Sequence, residues 1–242
     1  MKVDANKVIS ETIEVFTKSG ALERCKSFTD VIDNDEYKKF HPQPLTPLDI
    51  KIDCKQFMTD IQSYNNYFEQ WGTTHTHLPR YGLALVNEHG VLHNNDPVNG
   101  SMMAWNKQHP NTPFLDLDFT TPTPVMNMPS LSPMRVLDNH WCRSNIFKWN
   151  AGAEFYPHID TIIPSLWFRL WACVNADDLH VRFYDEDSGQ MKDVDGIEPG
   201  RLYIINTTLV HDAYTGADDT YQLFLSVKPS AREVLRSKIC RN

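Results

Sequence analysis

The sequence predicts a mainly β fold with flanking helices. Short apolar segments broken by turn residues fill the second half of the chain, and helical periodicity marks its two ends. Short strands at such regular spacing are typical of sandwiches and barrels. We therefore predict a double-stranded β-helix, that is, a jelly-roll or cupin-like barrel, with an N-terminal helical layer.

The N-terminal helical layer is predicted over residues 1–72 and contains two helices. The first covers residues 4–19, where apolar side chains recur on one side. The second runs from about Cys54 to Trp71 and carries an aromatic stripe at spacings of three or four residues, which lines one face of a helix. Such a stripe is typical of core packing. Its members are Phe57, Ile61, Tyr64, Phe68 and Trp71.

Residues 73–142 are predicted to form a loop-rich lid and substrate region. The segment is rich in Pro, Asn, Thr and His, with one apolar strand at Tyr81–Val86. Long irregular segments in compact domains are often binding loops. Arg80 precedes the strand, and we assign it, together with Trp149, to substrate binding.

Residues 143–228 are predicted to form the catalytic β-barrel core, followed by a C-terminal helix within 229–242. Turn residues such as Pro199-Gly200 separate the strands. No flexible linker interrupts the chain, so residues 1–242 are interpreted as one domain. The predicted strands are 144–149, 154–159, 166–175, 179–184, 201–206 and 220–227.

Composition limits the classes of function. The formal net charge of −8 argues against nucleic-acid or membrane partners, which usually select a basic surface. The five cysteines are scattered without a CxxC pair, which supports neither a disulfide framework nor a zinc ribbon. The N-terminus lacks a signal-like apolar core, and no stretch has the length of a membrane span. We expect a cytoplasmic protein.

Three residues form a candidate metal site. His158 and Asp160 lie two apart on a predicted strand end, so their side chains point to the same face. His211 follows a later strand, 51 residues after Asp160. Two imidazoles and one carboxylate on one face of an octahedral ion form the facial triad of non-haem Fe(II) oxygenases. A His-x-Asp pattern alone is common, and packed or surface histidines are the alternative interpretation.

The open positions of such an iron would accept a 2-oxoacid and then O₂, and the oxoacid needs a cationic partner. Arg169 lies inside an apolar strand, where an unpaired guanidinium would be costly. We assign Arg169, Trp171, Asn145 and Tyr221 to the cosubstrate site. Arg182 on the next strand is interpreted as structural.

The chain resembles the 2-oxoglutarate oxygenases and, among them, the aspartyl/asparaginyl β-hydroxylase family. Segment 152–158 (GAEFYPH) is similar to that family's glycine–aromatic–Pro-His motif around the first iron histidine. Arg169-Leu170 is similar to its following Arg-Leu pair, in which the arginine contacts the cosubstrate. Segment 200–214 resembles the strand leading to the second iron histidine. The resemblance covers roughly residues 143–228.

This resemblance implies Fe(II), 2-oxoglutarate and O₂, with hydroxylation of an amino acid, peptide or protein side chain and release of succinate and CO₂. Two departures matter. Asp160 retains the metal carboxylate that some members lack, which favours hydroxylation over halogenation. Tyr221 stands where the family usually has a basic residue for the far carboxylate of 2-oxoglutarate. Arg169, Asn145 or Lys148 could substitute for it.

Two other functions stay open at this stage. A cupin-type iron oxygenase or isomerase without an oxoacid is favoured by Tyr221. A non-catalytic β-barrel binding module with a degenerate metal site is the third, and the retention of His158, Asp160 and His211 argues against it.

Overall fold

The computed structural model describes residues 3–70, 78–92, 108–161, 166–175 and 178–240. Within these ranges, twelve strands form two antiparallel sheets. The strands are β1 (Leu45–Lys51), β2 (Glu69–Gln70), β3 (Arg80–Asn87), β4 (Thr121–Pro122), β5 (Ser144–Trp149), β6 (Glu154–His158), β7 (Phe168–Cys173), β8 (Leu179–Asp185), β9 (Gln190–Asp193), β10 (Arg201–Ile205), β11 (His211–Thr215) and β12 (Thr220–Val227).

The strand order is that of a double-stranded β-helix. The large sheet runs β1-β10-β7-β12-β5-β3-β2, with β4 beside β3, and the small sheet runs β6-β11-β8-β9. From β5 to β12 the chain crosses repeatedly between the sheets, so strands distant in sequence become neighbours. The predicted jelly-roll class is confirmed, in the form of two facing sheets.

Five α-helices flank the sheets in the described ranges: α1 (Ala5–Lys18), α2 (Ala21–Cys25), α3 (Asn34–Phe40), α4 (Cys54–Asp60) and α5 (Arg232–Lys238). Asp4 caps α1 by accepting a hydrogen bond from the backbone N–H of Lys7 at 3.1 Å. Helices α1 and α5 lie where the periodicity predicts them.

The predicted helix from Cys54 to Trp71 is wrong in its second half. Helix α4 ends at Asp60, a 3₁₀ helix covers Ile61–Tyr67, and β2 follows. Asn65 and Asn66 are weak helix formers, and pairing of β2 with β3 competes for the following residues. Trp71 lies outside the described residues.

The N-terminal layer is not purely helical, because β1 forms one edge of the large sheet beside β10. Its sequence, LTPLDIK, contains Pro47 and does not predict a strand. Proline lacks the N–H that a central strand needs, but an edge strand tolerates it. The edge position therefore explains why a strand exists where its sequence signal is weak.

Two apolar layers lie on opposite faces of the large sheet. Phe57 and Ile61 pack behind the sheet in one cluster with Leu223 of β12. Trp171 and Phe183 pack between the two sheets in the other. Alternate residues of β12 therefore serve different layers, which decides which of its side chains reach the site.

Two glycine turns place strands next to the site. Gly152, in the turn between β5 and β6, has a φ of 70°, and Gly200, before β10, has a φ of 75°. A Cβ on Gly200 would lie 2.5 Å from the carbonyl oxygen of Ile52. Glycine at position 200 thus permits the close approach of two chain segments. Across the described ranges, no helix has the length and apolarity to cross a membrane.

Candidate metal centre

The three predicted ligands meet at one end of the small sheet. His158 is the last residue of β6, His211 is the first of β11, and the two are direct partners in the antiparallel register. Asp160 follows β6 by two residues, and its backbone N–H donates to the carbonyl of Thr207 at 3.1 Å. The pairing of β6 with β11 therefore brings together ligands that are far apart in sequence.

Backbone hydrogen bonds orient both imidazoles. Nδ1 of His158 lies 2.7 Å from the carbonyl oxygen of Tyr156, and Nδ1 of His211 lies 2.9 Å from that of Leu209. A carbonyl only accepts, so each Nδ1 carries a proton and Nε2 is the nitrogen of each ring that can bind a metal. Both Nε2 atoms face the same carboxylate.

The donor atoms have the spacing expected of ligands to one ion. Nε2 of His158 lies 3.3 Å from Oδ1 of Asp160, and Nε2 of His211 lies 3.7 Å from Oδ2. All three ligand atoms lie within 4.8 Å of one another. Ligands about 2.1 Å from a common ion lie about 3 Å apart at right angles.

A buried acceptor without a donor supports the metal interpretation. Oδ2 of Asp160 is buried and accepts no hydrogen bond in the structure, and such an atom is costly unless a cation or donor compensates it. Two imidazoles and one carboxylate suit Fe(II) or a similar divalent transition metal. The residues therefore fit the ion that the sequence predicts.

The protonation states also suit metal binding. Burial acts to raise the pKa of Asp160, but the neighbouring side chains of His158, His211 and Arg169 outweigh burial and lower the pKa. Burial and the neighbouring His158 lower the pKa of His211 to about 4. At neutral pH the carboxylate is charged and the His211 ring is neutral, as metal ligation requires.

A cavity of about 210 Å³ between the sheets contains the three ligands, and we call it the inner chamber. Its walls come from the facing sides of both sheets and combine aromatic with polar and charged side chains. Besides the metal ligands it is lined by Arg80, Asn145, Trp149, Trp171, Gln222 and Phe224.

Arg80 is a buried cation that lies against several aromatic rings of the chamber. Its side chain is 8% exposed, and its guanidinium carbon lies 4.1 Å from the ring centre of Phe155 and 4.8 Å from that of Phe147. Burial lowers the pKa of Arg80 to about 9, with Asp160 opposing the shift and Arg143 adding to it. The side chain therefore stays charged at neutral pH.

A second buried cation is held by an ion cluster. Nη2 of Arg169 lies 2.7 Å from Oδ2 of Asp116, and Nε of Arg143 lies 2.6 Å from Oδ1 of the same carboxylate. Arg169 also donates to the hydroxyl of Ser226. Asp116 is 4% exposed, and the two arginines lower its pKa against the effect of burial.

Beyond this ion cluster lies a larger cavity of about 580 Å³, which we call the outer chamber. Helix α1, the start of α2 and residues 110–116 form its walls. Asp160, Arg143 and Arg169 line both chambers, so the two cavities meet beside the candidate metal ligands.

The structure brings Asn145, Trp149 and Trp171 into the inner chamber with Arg80, but it places Tyr221 elsewhere. Tyr221 packs on the opposite face of the large sheet, with its ring 5.8 Å from that of Phe57. This position corrects the assignment of Tyr221 to the cosubstrate site, because alternate residues of β12 face opposite sides.

Two other basic side chains also lie outside the inner chamber. Lys148 pairs with Tyr221 across the strands and makes an ion pair with Asp219 at 3.4 Å. Arg182 pairs with Asp212 at 2.7 Å, which agrees with its structural interpretation.

Sequence reasoning missed Asp116, Arg143 and Gln222. Asp116 lies 53 residues before Arg169, within a segment interpreted as a loop, and nothing local marks it as an ion-pair partner. Gln222 could be found only from the strand parity of β12, since its Oε1 accepts from Nε1 of Trp171 at 3.0 Å inside the chamber.

No family model and no curated protein matches the chain. Similar solved structures include an oxidoreductase of the 2OG-Fe(II) oxygenase family from Burkholderia pseudomallei, with 11% identity, coverage of 71% of this chain and 78% of that chain, and a TM-score of 0.41. A Pseudomonas putida prolyl-4-hydroxylase has 10% identity, coverage of 80% and 97%, and a TM-score of 0.45. At these values the likeness decides neither family nor activity.

Proposed function

We propose that the chain is a non-haem Fe(II) and 2-oxoglutarate-dependent dioxygenase that hydroxylates a C–H bond of an amino acid, peptide or protein side chain. The observation that carries the proposal is the convergence of His158, Asp160 and His211 inside a chamber that also holds a buried guanidinium. When bound, iron supplies the oxidative chemistry, in which O₂ and 2-oxoglutarate give succinate, CO₂ and the hydroxylated product.

The three ligands would hold the ion by one face and leave the other face to the chamber. His158 and His211 offer Nε2 because the Nδ1 protons are held by backbone carbonyls. Fixing the tautomers in this way removes a reorganisation step from metal binding.

Arg80 is the proposed partner of the far carboxylate of 2-oxoglutarate. A guanidinium pairs with a carboxylate through two parallel hydrogen bonds, which favours a dicarboxylic over a monocarboxylic oxoacid. Arg80 lines the same chamber as the triad, and its guanidinium lies against the rings of Phe147 and Phe155 there. We therefore exchange the two sequence-based roles and assign Arg80 to the cosubstrate.

The remaining walls of the inner chamber orient the cosubstrate and exclude water. Trp149 and Trp171 are each at most 2% exposed, and Asn145 adds an amide at 4%. A dry aromatic wall strengthens the interaction between the Arg80 guanidinium and a bound carboxylate, because little solvent screens it. Such a wall also protects the oxidising centre from unproductive side reactions.

The decisive experiment is anaerobic titration of the purified chain with Fe(II) and 2-oxoglutarate. We expect the weak visible metal-to-ligand charge-transfer band, its loss in His158→Ala, and its retention in His180→Ala. His180 is the matched control because it lies on β8 of the same sheet and stacks on Tyr214, away from the triad. A band that survives in His158→Ala would overturn the ligand assignment.

A second measurement separates the proposal from the cupin-type alternative. With Fe(II) and O₂, the chain should convert 2-oxoglutarate to succinate even without its substrate, at a low uncoupled rate. Tight Fe(II) binding with neither a charge-transfer band nor succinate would favour an iron enzyme that uses no oxoacid. Absence of metal binding would favour the non-catalytic module.

A further inference from the structure

Helix α1 borders the end of the small sheet that carries the triad. It packs beside β6, and Val15 and Phe16 near its C-terminus line the outer chamber together with Asp160. Its N-terminal half lines a second cavity, of about 640 Å³, with residues 208–210, which lead into His211. Cavities therefore lie beside both ends of a helix that borders the metal centre.

The attachment of α1 to the rest of the fold is weak. None of its 14 residues is buried. Among the described residues, its side chains form hydrogen bonds and ion pairs only within the helix and its N-cap. Phe16 is half-buried and packs against the cluster that contains Trp167, whereas Val15 is 65% exposed. Few buried contacts and no polar link to another element are typical of a segment that opens at low cost.

The next helix, α2, is held more firmly. Ala21 and Cys25 are buried, and Nη1 of Arg24 donates to Oδ2 of Asp118 at 2.6 Å. Gly20 joins the two helices with a φ of 76°. Glycine adopts left-handed and right-handed conformations with similar ease, so a change of direction at this position costs little. Hinges are typically a few such positions at the ends of elements, and Gly20 separates a loosely held helix from a firmly held one.

We propose that α1 is a lid that moves about Gly20 and controls access to the triad through the outer chamber. In the closed position, Phe16 lies against the cluster that contains Trp167. In the open position, the outer chamber is wider and exposed to solvent. This inference rests on the proposed metal centre, because access is defined relative to the triad, but it does not depend on the dioxygenase chemistry.

Amide hydrogen exchange of the metal-free full chain, followed residue by residue by NMR, tests whether α1 opens as a unit. A helix of 14 residues is marginal in water, so its amides exchange once it leaves the fold. We expect one common rate over residues 9–18 and a rate at least about tenfold slower over residues 24–28, with the change at Gly20. Rates that rise steadily toward the N-terminus, or equal protection of both helices, would overturn the lid.

Variants on α1 should shift the opening in opposite directions. Phe16→Ala removes the half-buried ring and should speed exchange in α1 about tenfold. Val15→Phe adds apolar surface that can pack into the outer chamber and should slow exchange about two- to fivefold. Thr17→Phe is the matched control, because Thr17 is exposed, lies outside the chamber lining, and has a helix propensity similar to that of Phe. Equal effects of the chamber-side variants and this control would contradict the proposal.

Removal of Zn(II) from the triad by EDTA measures access. A lid changes the rates of metal binding and release by the same factor, so the dissociation constant stays the same. We expect Phe16→Ala to speed release, and Val15→Phe to slow it, by the factors seen in the exchange of α1. Unchanged release in variants with altered exchange would show that α1 moves without controlling access, and an altered dissociation constant would show that the variants disturb the triad itself. Either result would overturn the inference.

Two outcomes separate this inference from the proposed function. A chain that binds no Zn(II) would overturn the metal centre and, with it, the control of access. A chain whose α1 exchange and Zn(II) release behave as expected, but which forms no charge-transfer band with Fe(II) and 2-oxoglutarate, would support the lid and overturn the dioxygenase.

Discussion

The inner and outer chambers each contain a buried guanidinium, but they hold it in different ways. Arg80 lies against three aromatic rings, whereas Arg169 forms an ion pair with Asp116. Rings contact the flat face of a guanidinium, while its N–H groups lie in the plane and suit bidentate pairing. An ion pair fixes a charge against an opposite charge, and ring contacts fix the plane of the guanidinium.

The largest expected effect comes from breaking the ion cluster. Asp116→Asn removes the carboxylate that pairs with the buried Arg169 and the partly buried Arg143, so we expect a loss of about 3 kcal/mol or more in the free energy of unfolding. Urea denaturation measures it. Asp30→Asn is the control, because its pair with Arg232 is exposed and contributes less than about 1 kcal/mol.

The same carboxylate predicts how stability depends on pH. The pKa of Asp116 is lowered in the folded chain, so its contribution is present above the unfolded pKa of about 4 and is lost as pH falls through the folded value. As the pH falls below about 5, the free energy of unfolding should decrease less in Asp116→Asn than in the unsubstituted chain. An equal acid response in both proteins would contradict the role of the ion cluster.

The next effect concerns the ring-caged cation. Arg80→Met should weaken the binding of 2-oxoglutarate by about 30-fold or more, because removing one partner of a desolvated charge pair costs about 2 kcal/mol or more. Pyruvate, which lacks the far carboxylate, should bind equally to both proteins. Arg201→Met is the control, because its guanidinium pairs with Glu198 at the surface. Undiminished preference for 2-oxoglutarate in Arg80→Met would return the role to Arg169.

A smaller effect is expected where Gln222 accepts from the indole of Trp171 in the inner chamber. Gln222→Leu leaves that buried N–H without its acceptor and should cost about 1–2 kcal/mol of stability. In a Trp171→Phe background the same change should cost less, because both polar partners are then gone. A double-mutant cycle in urea measures this coupling. Additive costs would show that the hydrogen bond contributes nothing.

The smallest effect tests the position that sequence reasoning favoured. Tyr221→Phe should leave the dissociation constant of 2-oxoglutarate unchanged, since the ring packs with Phe57 and Phe68 on the far face of the large sheet. Titration by the charge-transfer band measures it. Weakening comparable to that of Arg80→Met would contradict the placement of this side chain.

The fold could be predicted from the sequence because the core strands have recognisable local sequence patterns. Strands β5 and β12 lie at the predicted bounds, and Gly152 and Gly200 adopt the positive φ values that turns require. Strand β11 escaped prediction, because its sequence, HDAYT, carries polar side chains committed to the site and to an ion pair. These polar side chains interrupt the apolar alternation by which strands are recognised in a sequence.

The candidate site also has one part that could be predicted from the sequence and another that could not. The placement of His158 and Asp160 on one face follows from the period of two along a strand. The face of the sheet on which Tyr221 lies could not be predicted by counting residues from His211, because the turn between β11 and β12 interrupts the alternation of side chains between the two faces. The cluster around Asp116 depends on contacts across distant segments, which no local pattern encodes.

The position of β6 has a consequence for handling the chain. It lies at the edge of the small sheet, paired with β11 among the described strands, and this pairing contains a register shift. Pro157 lacks an N–H, which makes this edge a poorer template for self-association. If the triad holds an ion as proposed, that ion connects the end of β6 to β11, so a chelator in the purification buffer would loosen this edge of the sheet.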